Sequence, residues 1–190
     1  HAKGMVANAW MDTEMSCEEI RDYMNRYLPD DIAVREVREA ADRFHARYNT
    51  TGKTYRYTCQ DGPVKSVFDR KYCVRLDERP DLAKMQRAAE LLKGEHDFRN
   101  FCVNPRMKKS TVRHVDSIEI KREGGYLTFT IHGNGFLQNM VRVMVGTLLE
   151  VGYGNITLDE VKESLTGFVR QKAGPTAPAA GLCLMDVDYN

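Results

Sequence analysis

The sequence lacks a charge excess of either sign: of its 190 residues, 28 are Lys or Arg and 27 are Asp or Glu, a formal net charge of +1. A protein that coats nucleic acid over its whole surface is thereby excluded, although a local basic patch is not. No apolar run approaches the ~20 residues that span a bilayer, so no transmembrane helix and no membrane partner are expected. The five cysteines, Cys17, Cys59, Cys73, Cys102 and Cys183, are odd in number and contain no Cys-x-x-Cys pair. That pattern argues against a disulfide framework and a thiolate zinc site, and fits a reducing cytoplasm. The five histidines form no His-x-x-x-His pair, which leaves no metal-ligand spacing. Gly133-Asn-Gly135 lacks the third glycine and the acid of a dinucleotide fingerprint, and no phosphate-binding Gly-x-x-x-x-Gly-Lys-Ser/Thr occurs. Ser110 has no nucleophile-elbow glycines beside it.

What is present is an ordinary globular composition, 42% hydrophobic and 29% charged, enough for one large domain or two small ones. The opening, His1-Ala-Lys-Gly-Met-Val, has no signal-peptide pattern and reads as a strand entered in mid-course, as in a piece cut from a longer protein. Alternation predicts a strand over Val6–Trp10. Ser16 with Glu19 forms a capping box for a helix that ends near Leu28-Pro29, and Ile32–Val37 reads as a second strand. Tyr55–Cys59 and Tyr72–Leu76 are β-rich runs on either side of Gly62-Pro63. Pro80-Asp81 opens a helix with apolar positions Leu82, Met85, Ala88, Ala89 and Leu92, for which Gly94 is the stop; His96-Asp97 is read as capping a turn. Val115–Ile120 and Tyr126–Ile131 flank the hairpin signal Gly124-Gly125. Helices are predicted over Leu137–Val151 and Leu158–Leu165, a loop over Gly174–Pro178 and a closing strand over Leu182–Tyr189. Strands interleaved with helices and hairpins indicate an α+β sheet packed by helices.

Arg142 is the residue that needs explaining. At 100° per residue, Leu137, Val141, Met144, Val145 and Leu148 share one face of its helix, and neighbouring apolar positions widen that face until most of the circumference is buried. A guanidinium beside such a stripe requires a partner, because an unpaired, poorly hydrated charge costs several kcal/mol. The positions that face it on its own helix, Gln138, Asn139, Val145 and Gly146, include no acid, so a carboxylate has to come from elsewhere. On the helix alone, a structural salt bridge or a snorkelling side chain is the favoured account of such a residue. Tyr55 and Tyr57 share a strand face by period two; such pairs are core residues or platforms for splayed-out bases. Residues 99–122 hold seven basic side chains (Arg99, Arg106, Lys108, Lys109, Arg113, Lys121, Arg122) against Asp116 and Glu119. Arg106, Lys108, Lys109 and Arg113 are predicted to lie on a loop that contacts phosphates.

Several stretches together, in family order over nearly the whole chain, resemble the TruA family of tRNA pseudouridine synthases. They are Leu28-Pro-Asp-Asp-Ile-Ala-Val34, Phe44-His-Ala-Arg47, Lys53-Thr-Tyr-Arg-Tyr57, Gly94-Glu-His-Asp-Phe-Arg-Asn-Phe101, Gly135-Phe-Leu-Gln-Asn-Met-Val-Arg142, Val145-Gly146, Val151-Gly152 and Pro178-Ala-Ala-Gly-Leu-Cys-Leu184. The opening is similar to the continuation of the family motif G-R-T-D-A-G-V-H-A, which places the catalytic aspartate just upstream of residue 1. The resemblance implies ferredoxin-like halves with an antiparallel or mixed sheet packed by helices. Residues 1–40 would be a remnant of the N-terminal catalytic half and 41–190 the C-terminal half. It also implies isomerisation of uridine to pseudouridine in the anticodon stem-loop of tRNA, by a homodimer in the cytoplasm, without metal or organic cofactor. Tyr55 matches the tyrosine that stacks on the target base, Arg142 the arginine paired with the aspartate, and Leu182 and Leu184 the motif that packs near the base. The chain alone would then be inactive. Two other classes stay open at this point: an RNA-binding fragment without catalysis, and a ferredoxin-like small-ligand or assembly domain.

Overall fold

The computed structural model describes residues 1–104, 109–166 and 173–190. It separates into two units, His1–Met5 with Thr50–Asn190, and Val6–Asn49. In the smaller unit, α1 (Cys17–Tyr27) starts at Ser16, whose hydroxyl accepts from the Glu19 N–H at 3.2 Å while the Glu19 carboxylate accepts from the Ser16 N–H at 2.8 Å. The capping box is therefore formed, and the bonds that the Glu19 carboxylate accepts from the Ser16 N–H and, at 2.9 Å, from the Ser16 hydroxyl lower its pKa.

The two strands predicted in this unit are absent. A strand is held by ladder hydrogen bonds from a neighbour. At Val34 both backbone groups are instead taken by the Asn25 amide, at 2.7 and 2.8 Å. The stretch 6–10 pairs with no strand, and the Asn8 side-chain oxygen Oδ1 accepts from the Ala46 N–H. No residue of 6–49 is buried, so no core compensates for ordering these segments as strands.

The larger unit is built around β1 (Thr50–Gln60), which pairs antiparallel with β5 (Tyr126–Gly133) on one side. Its other edge is shared. Residues from Thr50 to Tyr57 pair antiparallel with β6 (Leu182–Tyr189), and Cys59 and Gln60 pair parallel with β2 (Val74–Arg75). Beyond β5 lie β4 (Val112–Glu123) and β3 (Gly94–Asp97), both antiparallel to their neighbours. The order β6-β1-β5-β4, with helical crossovers from β1 to β4 and from β5 to β6, is the split β-α-β arrangement of ferredoxin-like folds. The α+β expectation holds, with a mixed sheet.

The core follows from the alternation of β5, where Leu127, Phe129 and Ile131 are buried and Tyr126, Thr128, Thr130 and His132 are half-buried. Opposite them stand Tyr57 and Cys59 on β1 and Ile118 and Ile120 on β4. α2 (Leu82–Leu92) adds Met85, Ala88, Ala89 and Leu92, and α4 (Leu158–Thr166) adds Val161 and Leu165. α3 (Met140–Tyr153) is buried almost all round. Its start at Met140, later than the apolar pattern suggests, is set by Asn139, whose φ of 62° is left-handed and breaks the helical run. Gly94 does stop α2, but the chain then enters β3 directly. His96 and Asp97 pair with Arg113 and Val112 in β3, and Asp97 then caps a 3-10 turn over Phe98–Phe101, in keeping with the capping expected there.

Gly174–Pro178 lies against the backbone of α3. A Cβ on Gly146 would come within 1.9 Å of the Pro175 carbonyl oxygen, so only glycine permits this approach. The buried Thr147 hydroxyl donates to the Val143 carbonyl at 2.8 Å and accepts from the Gly174 N–H at 2.8 Å. Thr147→Val keeps the shape and removes the acceptor, leaving a buried N–H unsatisfied. It should cost about 1–3 kcal/mol, read as a lower urea midpoint at unchanged m-value.

Candidate active site

Arg142, on the first turn of α3, bonds back to this docked segment. Its Nε donates to the Ala177 carbonyl at 2.6 Å, and the Ala177 N–H donates to the Arg142 carbonyl at 3.1 Å. Nη1 donates to the Asn139 side-chain oxygen at 3.0 Å. Among the described residues no carboxylate pairs with Arg142, and its Nη2 donors find no hydrogen-bond acceptor. A guanidinium has five N–H donors and keeps its charge at any physiological pH. The left-handed Asn139, the sole non-glycine residue with positive φ among the described residues, thus orients the arginine from three positions earlier in the chain.

The next residue of the segment, Pro178, accepts a hydrogen bond of 2.6 Å from the Tyr57 hydroxyl, which ties β1 to the same loop. Tyr57 is fully buried, and that burial pushes its phenol far above the ordinary value, while the Arg142 charge acts in the opposite sense. Tyr57 is therefore a structural tyrosine. Two residues earlier on the same strand face, Tyr55 is half-buried, and its ring meets Phe136 edge-on at 5.4 Å and 88°. Burial raises the Tyr55 phenol above its usual pKa, so the hydroxyl stays protonated at neutral pH.

Leu184 stands directly opposite Tyr55 and Leu182 directly opposite Tyr57 in the β1–β6 ladder. Opposed residues of an antiparallel pair share a face, so three of the sequence-predicted residues, Tyr55, Leu182 and Leu184, lie together. On the far edge of β6 the chain start adds a short parallel bridge, Ala2 to Leu184, in which the Lys3 N–H donates to the Leu184 carbonyl at 2.7 Å and the Leu184 N–H donates to the His1 carbonyl at 3.1 Å.

The basic residues divide. Arg122 is committed to the fold, with Nε 2.6 Å from the Asp61 carboxylate, whose side chain is 1% exposed, and Nη2 on the Pro80 carbonyl. Lys121 pairs with Glu119 at 2.7 Å. Arg106 and Lys108 lie outside the described residues. Lys109 is exposed; Arg113 belongs to β4, not to a loop, and donates to the carbonyls of Ser110 and Val112. Phe136, Asn139 and the carbonyl of Ala177 escape sequence reasoning as site-forming groups. Asn immediately ahead of a helix is a usable signal, since Asn is among the few residues that adopt the left-handed conformation readily. The carbonyl carries none.

No helix among the described residues is long and apolar enough to cross a membrane. Residues 88–190 match the family described as tRNA pseudouridine synthase. The tRNA pseudouridine synthase A of Syntrophotalea carbinolica is 43% identical over 189 residues, covering 100% of this chain and 75% of that protein. The enzyme of the same name from Geobacter sulfurreducens is 43% identical with 78% of its length covered. The tRNA pseudouridine synthase A 2 of Bacillus anthracis is 39% identical with 77% covered. Similarity of this extent, carried over the same elements that hold Tyr55, Arg142, Leu182 and Leu184, shows that the chain belongs to the tRNA pseudouridine synthase family.

Proposed function

We propose that the parent protein isomerises uridine to pseudouridine in the anticodon stem-loop of tRNA, and that this chain supplies the arginine and the base platform of the site. The observation that carries the reading is the Arg142 guanidinium, fixed by Ala177 and Asn139 yet without a carboxylate among the described residues. A carboxylate nucleophile upstream of residue 1 is its natural partner. His1 bonds to Leu184, the residue opposite Tyr55, so residues preceding it would approach the same part of the sheet. Residues 1–40 would then complete an N-terminal catalytic half and 41–190 form the C-terminal half. The parent would be a cytoplasmic homodimer that needs no metal or organic cofactor.

In this reading the target uridine is flipped from the RNA. The aspartate attacks the base or the ribose, the N1–C1′ bond breaks, the uracil turns and forms the C5–C1′ bond as the bond to the aspartate is released, and C5 loses its proton while N1 gains one. Arg142 orients and neutralises the carboxylate. Tyr55 stacks on the base. Burial raises the phenol pKa further above neutral pH and so works against its acting as a base, whereas a half-buried ring remains available for stacking.

Tritium release from C5-labelled uridine in tRNA tests the nucleophile: the 190-residue chain should release none, and the protein extended upstream should release it. Release by the chain alone removes the upstream carboxylate from the mechanism. In the extended protein, Arg142→Ala should lower turnover and cost about 3–5 kcal/mol by leaving a buried carboxylate unpaired, measured by melting. Tyr55→Ala should weaken RNA binding by about 1–3 kcal/mol while Tyr55→Phe retains it, which titration with an anticodon stem-loop would show. Replacing Arg106, Lys108 and Lys109 with alanine should flatten the salt dependence of tRNA binding by up to about 0.9 log units per lost phosphate contact, the slope known for duplex DNA. An unchanged slope would remove those residues from the RNA interface.

A further inference from the structure

Between β1 and β2 the chain makes a surface loop over residues 61–73 that neither the fold nor the site described above requires. It carries the most exposed large hydrophobic side chain among the described residues, Phe68 at 91%, together with Tyr72 at 56%. Val64 and Val67 of the same loop are exposed as well, so it presents a group of apolar side chains, the kind of surface that marks an interaction site.

The loop is not loose. The buried Gln60 amide donates to the Val64 carbonyl at 2.8 Å and accepts from the Ser66 N–H at 3.0 Å. The Ser66 hydroxyl and the Tyr126 phenol both donate to the Asp69 carboxylate, at 2.7 and 2.5 Å, and the Tyr72 N–H donates to the Asp69 carbonyl at 2.8 Å. Arg75 donates to the Gly62 carbonyl. Phe68 is therefore held outward by a hydrogen-bonded frame built on a buried side chain.

The charges around it are mainly positive. Of the two acids in the loop, Asp61 is paired with Arg122, while Asp69 accepts only from the neutral Ser66 and Tyr126 hydroxyls and keeps its negative charge. The cations Lys65, Arg70 and Lys71 all face solvent. The loop also adjoins the candidate site. The Tyr72 ring meets the His1 imidazole edge-on at 4.9 Å and 77°, His1 bonds to Leu184, and Leu184 faces Tyr55 across the ladder.

We infer that this loop is a second RNA-contact site, on which an unpaired nucleotide of the tRNA substrate stacks against Phe68 while Lys65, Arg70 and Lys71 hold the neighbouring phosphates. The inference rests on the tRNA reading above and adds to it a specific platform outside the catalytic residues. An exposed flat ring in a loop that carries three solvent-facing cations fits a single-stranded, phosphate-bearing ligand, because stacking tolerates any base and cations hold the backbone. A protein partner would be better served by the aromatics without Lys65 and Lys71, since lysine is depleted at interface centres.

The test is tRNA binding by the 190-residue chain, with sedimentation and melting run in parallel. Phe68→Ala should weaken binding about 5- to 150-fold, the worth of one stacked base. Phe68→Trp should restore it, and melting should be unchanged because the ring touches no core. Exchanging Lys65 and Lys71 for Gln should flatten the salt dependence by about 0.7 log units per contact if the RNA there is single-stranded. Undiminished binding by Phe68→Ala overturns this inference and leaves the proposed function standing. Failure of the unaltered chain to bind tRNA at all also overturns this inference, since the platform lies within the chain, while tritium release by the extended protein decides the proposed function separately. A loss of self-association in Phe68→Ala without a change in RNA affinity assigns the loop to an interface between copies instead.

Discussion

Arg142 and Ala177 exchange two hydrogen bonds, one from the guanidinium to the Ala177 carbonyl and one from the Ala177 amide to the Arg142 carbonyl. The first turn of α3 and the segment leading into β6 are fastened to each other at that point. Removing either bond frees more than a side chain. The same segment presents the Pro178 carbonyl to Tyr57 and then turns through Ala179–Gly181 into β6, where Leu182 and Leu184 are placed opposite Tyr57 and Tyr55. Close approach is what makes the exchange possible, and it depends on Gly146, where even a methyl group would collide with the Pro175 carbonyl.

The arrangement also explains why a charge can sit on an otherwise apolar helix. Arg142 has its stem against α3 and its Nε and Nη1 satisfied by neutral oxygens, so part of its desolvation is offset before any carboxylate arrives. Neutral partners leave the formal charge uncompensated. Asn139 bears a local cost, since a left-handed conformation disfavours an L-residue by roughly 1–2 kcal/mol, less for Asn than for others. Backbone conformations of this kind persist where the surroundings over-determine them, and they concentrate at functional sites.

Much of the larger unit was legible in the sequence because local signals and burial agreed there. Asp81 ahead of an amphipathic run does cap α2, accepting from the Lys84 N–H, and Gly124-Gly125 does join β4 to β5, both glycines at positive φ. Alternation gave β5 and β6 nearly to the residue. The failures have a common cause. Val6–Trp10 and Ile32–Val37 have strand-like composition, but strand formation depends on a neighbouring edge, and no local pattern reports whether that edge exists. At Tyr72–Leu76 the same dependence trims the strand to Val74–Arg75, the two residues that find a partner on β1. At the site, residue types in a recognisable order pointed to Tyr55, Arg142, Leu182 and Leu184. The groups that hold them, Asn139, Phe136 and two backbone carbonyls, become visible only when distant segments meet.

β1 is the second of these meeting points, and its shared edge has a kinetic meaning. β6 pairs with the N-terminal part of β1 but follows it by more than half the chain. At about 5–20 residues per second of synthesis, β1 waits on the order of ten seconds on the ribosome before β6 exists to cover it. Throughout that interval an edge bearing Tyr55 and Tyr57 is open to whatever strand is nearest, the condition under which chains associate wrongly. The strand that carries Tyr55 and Tyr57 into the finished sheet is thus a hazard in the nascent chain, and its open edge is covered only when β6 arrives.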